Sequence, residues 1–162
     1  MAKSRPSGAK RKADADDKFL LSDGGFIPAK EWDISHSPLS PVDVSPRSAL
    51  KKLQEEFQVT SYDGSNIIFG QEILDHWQKE KNKSQKDIDG RLSRLNMATQ
   101  TVQNPREVWI QGKQKAYVQV FVKKNGGAKG CVVFVKDNNV TRSYYPRSVS
   151  SLDKARHGEQ IK

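Results

Sequence analysis

The chain has 162 residues, 35% hydrophobic and 29% charged, which is room for one domain and a tail but not for two independent cores. No apolar run approaches the roughly 18 residues of a membrane helix, no apolar segment follows the basic opening MAKSRPSGAKRK as a signal peptide requires, and the lone Cys131 excludes an internal disulfide and a cysteine-built metal cluster. The net charge of +9 is unevenly placed: residues 1–46 are neutral, 47–104 carry +1, and 105–162 set twelve Lys/Arg against four Asp/Glu, a surplus of +8.

In chain order, residues 1–45 read as a flexible, partly disordered tail. A basic opening (Lys3, Arg5, Lys10, Arg11, Lys12) and an acidic patch (Asp14, Asp16, Asp17) precede SHSPLSPVDVSP, whose prolines block helix and favour extended chain. Short apolar pieces, Phe19-Leu20-Leu21 and Phe26-Ile27, are candidates to dock on the domain. A domain is expected over residues 46–162. Ser45-Pro46 is an N-cap with proline at the first helical position, and Leu50, Leu53 and Phe57 follow at the spacing of one buried face. Tyr62-Asp63-Gly64-Ser65 is a turn, and Asn66–Phe69 a short strand. Gly70 opens a second helix, QEILDHWQKEK, with Ile73, Leu74 and Trp77 on its core face and His76 at the edge of that face. Ser84 and Asp87 signal the start of a third helix. Its stripe of Ile88, Leu92, Leu95, Thr99 and Val102 predicts one continuous helix, flanked by Arg91 and Arg94 and ended by Asn104-Pro105.

Beyond Pro105 the hydrophobic period changes to two. Strands are predicted at 107–111, 115–124, 130–136 and 140–145, joined by turns that include Asn125-Gly126-Gly127 and Asp137-Asn138-Asn139. Helices first and strands afterwards give an α+β fold, with N-terminal helices packed on a four-stranded antiparallel meander. The second sheet face is then expected to be open to solvent or ligand and to carry the charge, which points to a polyanion, most simply nucleic acid. Arg94, Tyr117, Lys123, Arg142 and Arg147 are the candidate nucleic-acid contacts. Cys131 lies in CVVFV and reads as a buried structural thiol.

No Walker phosphate loop, GxGxxG, HExxH or close Cys/His cluster is present, and His36, His76 and His157 are scattered. Cations, histidine, tyrosine and hydroxyls remain. That inventory suits metal-independent RNA cleavage, which needs a base for the ribose 2′-OH, an acid for the leaving 5′-oxygen and cations for the phosphorane. Histidine can move the proton, lysine and arginine can hold the phosphate, and a tyrosine or threonine hydroxyl can orient it. The same basic sheet would also serve a non-catalytic nucleic-acid-binding module or a phage structural accessory protein.

His76 in ILDHW, Arg91 in the next helix, NPREVW, AYVQVFVK, TRSYYP and LDKARHGEQI, in this order, resemble the phage-borne nuclease domains of the barnase–EndoU–colicin–RelE superfamily over about residues 47–162. The resemblance implies helices on a four-stranded antiparallel sheet. It also implies metal-independent RNase activity without a cofactor, directed at tRNA or ribosome-bound message. His76 matches the helix histidine, Arg91 the helix arginine, Thr141 and Tyr144 the hydroxyl–aromatic pair, and Arg156 the closing arginine; His76 is then the candidate proton-transfer residue, with Arg91, Lys115 and Arg156 to hold phosphate and Thr141 and Tyr144 to orient it. The partners it implies are RNA, a cognate immunity or antitoxin protein and a phage head, with no membrane. Action would lie in the bacterial cytoplasm, after delivery by phage or a secretion system.

Overall fold

The computed structural model describes residues 26–81 and 83–162; the basic opening and Phe19-Leu20-Leu21 lie outside the described residues. Helix α1 (Pro46–Glu55) starts where its cap predicts, with Ser45 Oγ accepting from the Ser48 amide at 3.1 Å. It buries Ala49 and Leu53 but stops short of Phe57, because Glu56 turns to φ +60°. Phe57 instead opens β1 (Phe57–Thr60), antiparallel to β2 (Asn66–Phe69), and stacks on Phe69 at 5.6 Å. Helix α2 (Gln71–Gln78) buries Ile73 and Trp77.

The predicted third helix begins with a complete Ser84–Asp87 capping box but is two helices, α3 (Gln85–Ser93) and α4 (Leu95–Gln103), broken at Arg94. The Ser93 hydroxyl donates to the Gly90 carbonyl at 2.9 Å, a back-bond that bends helices. The bend lets α4 lay Leu95, Met97, Ala98, Thr101 and Val102 into the core.

Strands β3 (Glu107–Gln111), β4 (Gln114–Val122), β5 (Ala128–Lys136) and β6 (Thr141–Arg147) pair antiparallel in sequence order. The sheet has a fifth strand, though, which corrects the expectation of four. β7 (Glu159–Gln160) pairs with the outer edge of β3, giving the order β6-β5-β4-β3-β7. Two residues are too few to show a period, so the pattern could not reveal it.

Side chains alternate across the sheet. Tyr117, Phe121, Cys131 and Val133 join the helix-side core, whereas Ala116, Val118, Val120 and Val132 point the other way. That second face is not left open. It is covered by a 3-10 turn (Ala29–Glu31), Trp32 and a 3-10 segment (Val149–Ala155), with Ala29 and Leu152 fully buried. Residues 26–45, expected as the end of a flexible tail, are therefore packed. The Val122 amide donates to the Pro38 carbonyl and the Ser40 amide to the Val122 carbonyl, both at 2.9 Å. Proline makes this stretch extended, as expected, but its carbonyls still accept, and Trp32 supplies the apolar area that holds it down.

Candidate active site

Two glycines shape the open part of the covered face. At Gly130 on β5 a side chain would meet Leu152 at 2.8 Å, so its bare backbone lets the 3-10 segment lie close on the sheet. At Gly158 φ is +93° and a Cβ would run into the Ile110 carbonyl, so only glycine carries the chain across β3 into β7. His157 sits immediately before that turn. Gln111 at the end of β3 holds its backbone, donating from Nε2 to the carbonyls of Ala155 at 2.5 Å and His157 at 3.2 Å.

Between the 3-10 segment and the β3–β4 hairpin is a cavity of about 760 Å³. Its walls include Val132 and Phe134, which are apolar, and Arg147, Ser151, Lys154 and His157, which are polar. Arg147 and Lys154 are exposed cations. His157 is also exposed by surface area, yet enough atoms crowd its ring that desolvation lowers its pKa below the ordinary histidine value. The imidazole is thus neutral at neutral pH and can accept a proton.

The cavity adjoins a second polar cluster through Tyr145 of β6. The Tyr145 ring meets Phe134 edge-on at 6.2 Å and lies under the Arg147 guanidinium at 4.8 Å. The Arg91 guanidinium is 4.7 Å from the same ring, and the Tyr145 hydroxyl donates to Glu80 Oε2 at 2.8 Å. Arg91 Nη2 donates to Glu80 Oε1 at 3.1 Å, and His76 Nε2 lies 4.0 Å from Glu80 Oε2. Burial alone would raise the Glu80 pKa, but hydrogen bonds from Arg91 and Tyr145 and the charges of Arg91 and Lys83 outweigh it and leave the carboxyl lowered. Burial, with the hydrogen bond and charge of Glu80, raises the Tyr145 phenol. Glu80 is an anion and Tyr145 its neutral donor.

Of the sequence-predicted residues, His76 and Arg91 lie in this cluster and Arg147 lies in the cavity wall. Four others are inside the fold, out of reach of a substrate. Tyr144 is fully buried, edge-on to Trp77 at 5.0 Å, its hydroxyl donating to the Arg91 carbonyl at 2.9 Å. Thr141 is fully buried, and Tyr117 is 1% exposed, its phenol pushed up to about 12 by burial and then by Asp63 and Tyr62. The Arg156 side chain is 2% exposed and already satisfied: it donates to Glu107 at 2.7 and 3.0 Å, to Asp153 at 2.8 Å and to the Ile27 carbonyl at 2.8 Å. Its guanidinium also lies 4.3 Å from the Phe26 ring and 4.4 Å from Trp32. Arg156 therefore ties the residues before α1 to the sheet and holds no phosphate.

Lys115 is half-buried at the hairpin end of β4, paired with Val135 and Ile110, and helps lower the carboxyl of Asp63. Its alternation places it on the helix side, away from the cavity. Arg142 is exposed on β6, Lys123 is exposed beyond β4, and Arg94 lies 3.5 Å from Asp43. His157, Lys154, Tyr145 and Glu80 escaped the sequence reading. The signal for His157 was the ARHG motif, where glycine after histidine marks a forced turn. Among the described residues no three His, Cys, Asp or Glu side chains converge as a metal site, and no helix is long and apolar enough to cross a membrane.

The protein thus has a sheet with helices on one side and, on the other, a cavity whose walls include Arg147 and Lys154. A family model described as phage-Barnase-EndoU-ColicinE5/D-RelE like nuclease 2 matches residues 47–161, and the chain belongs to that family. No curated protein and no solved structure matches it. Its activity is that of a nuclease and its substrate nucleic acid.

Proposed function

We propose that the chain is a metal-independent endoribonuclease that cleaves by attack of the ribose 2′-hydroxyl. The observation that carries this reading is the cavity in which a histidine kept neutral by desolvation shares walls with Arg147 and Lys154. His157 takes the 2′-hydroxyl proton, and the 2′-oxygen bonds to phosphorus. Arg147 and Lys154 offset the charge on the phosphorane. The bond to the 5′-oxygen breaks as Lys154 supplies its proton. A 2′,3′-cyclic phosphate and a 5′-hydroxyl result, so atoms and charge balance without a co-reactant. The rim of Tyr145, Arg91 and His76 adds hydrogen-bonding groups beside the cavity.

The test is cleavage of total RNA and tRNA by purified protein, with end mapping. The expected products carry cyclic phosphate, 2′-deoxyribose at the scissile position blocks cleavage, and EDTA leaves the rate unchanged. His157→Ala should cost roughly 100- to 10,000-fold, the usual loss of one acid–base group. Uncut RNA under all these conditions would leave a non-catalytic nucleic-acid-binding module as the better account. The geometry of His76 beside Glu80 and Arg91 favours a second assignment, in which His76 moves the proton. Loss of activity in His76→Ala with retention in His157→Ala would select it. We further propose that the enzyme acts in the bacterial cytoplasm on tRNA or message, held in check by an immunity protein or carried with a phage head.

A further inference from the structure

A second group of cations lies on the opposite side of the sheet from the cavity. Lys129 is the second residue of β5, and its cross-strand partner Phe121 belongs to the helix-side core, as does Cys131 two residues on, so Lys129 faces the helices. There it meets the charges of Arg94, at the α3–α4 break, and Lys123, at the β4–β5 turn. Lys129 is half-buried and Lys123 exposed, and neither has an ion-pair partner among the described residues. Arg94 has one, Asp43, itself 56% exposed. Desolvation, then Arg94 and Lys123, lower the Lys129 pKa. A fold that crowds three cations with one peripheral carboxylate is electrostatically frustrated, and an anion removes that frustration.

The position of this group gives it a meaning. Lys129 is next to Gly130, and Gly130 is the cross-strand partner of Arg147, the cavity-wall arginine. Arg147 and the Lys129 group therefore lie on opposite faces at the β4–β5-turn end of the sheet, reached from one another around the end of β6, while the rest of the cavity extends from Arg147 towards the β3–β4 hairpin at the other end. We propose that Arg94, Lys123 and Lys129 form a second phosphate site for the same RNA strand, so that the substrate runs from the cavity around the end of β6 and over the helix side. The ligand class rests on the RNA-cleaving reading; the site itself does not. Its occupant is a ribose-phosphate backbone, and its consequence is a requirement for substrate length.

The experiment measures binding, which keeps it apart from cleavage. Fluorescence anisotropy is recorded with 2′-O-methyl RNA, a tetranucleotide and a dodecamer, across a salt series. Wild-type protein should bind the dodecamer more tightly and with a steeper salt dependence. Lys123→Gln/Lys129→Gln should lower the dodecamer slope of log K against log salt by about 1.4, since each single-strand phosphate contact contributes about 0.7. The affinity ratio between the two lengths should fall towards one. Lys123→Gln alone, on an exposed turn, keeps the test valid if the double variant does not fold, with an expected slope change of about 0.7. An unchanged ratio and slope in folded variants overturns the second site. A length-dependent loss in protein that cuts no RNA upholds it while removing the cleavage reading.

Discussion

His157 and Arg156 are neighbours with opposite fates, and the pair shows how little a residue's type says about its role. Of the acceptors of Arg156 only Asp153, three residues before it, is local; Glu107 and Ile27 lie 49 and 129 residues away, where no local pattern reveals them. The sequence therefore presents a free cation where the fold holds a fully paired one. Replacing it by methionine leaves Glu107 and Asp153 without their partner and should cost about 3–5 kcal/mol, read from urea unfolding. A loss within a few tenths would show that the ion pairs contribute nothing net. His157 makes the converse prediction. As the proposed base it acts in its neutral form, and desolvation lowers its pKa, so the acid limb of kcat/KM should fall below the ordinary histidine value of 6.5. The sign for stability follows the same shift. Between the folded and unfolded pKa values the unfolded chain binds more protons, so the contribution of this group is lost as pH falls through 6.5. An acid limb at or above that value would argue against His157 as base.

At the scale of elements, legibility followed locality. The Ser45 and Ser84 caps, strands β3–β6 and the turns at residues 125–127 and 137–139 were readable because cap geometry and alternation depend on residues a few positions apart. The α3–α4 break was not, since the apolar stripe of Ile88 to Val102 continues through it and only the Ser93 back-bond marks the bend. The cover on the second face was legible only as the expected docking of Phe26-Ile27, because the sheet residues that Trp32 and Ala29 pack against lie far along the chain. The candidate residues divide by burial: His76 and Arg91 lie in the Glu80–Tyr145 cluster and Arg147 in the cavity wall, whereas Thr141, Tyr144, Tyr117 and Arg156 are buried, which a side chain's type does not announce. Two elements can be probed directly. Gly158→Ala places a side chain at positive φ against the Ile110 carbonyl and should cost about 1–3 kcal/mol, with a fall in kcat as His157 shifts. Truncation to residue 41, which would be harmless if residues 26–40 were a tail, should lower Tm, because it strips Ala29 and Trp32 from the sheet. Limited proteolysis should correspondingly yield a fragment that retains Trp32.

For the whole molecule, charge and topology act together. The surplus of +8 in residues 105–162 should make RNA affinity fall steeply with salt, and a salt-independent affinity would remove the electrostatic argument. The topology has its own consequence, carried by the bonds at Arg156 and Asp153. Arg156 bonds a carbonyl 129 residues away, and Asp153 accepts from an amide 124 residues away. Contacts of that separation form only after most of the chain is ordered, because loop closure must be offset by structure already in place. The cavity wall is attached to those contacts. A partly folded chain therefore has no working pocket, and activity should disappear along urea in the same transition as tryptophan fluorescence, with no active intermediate. For a nuclease this coupling withholds activity until folding is complete.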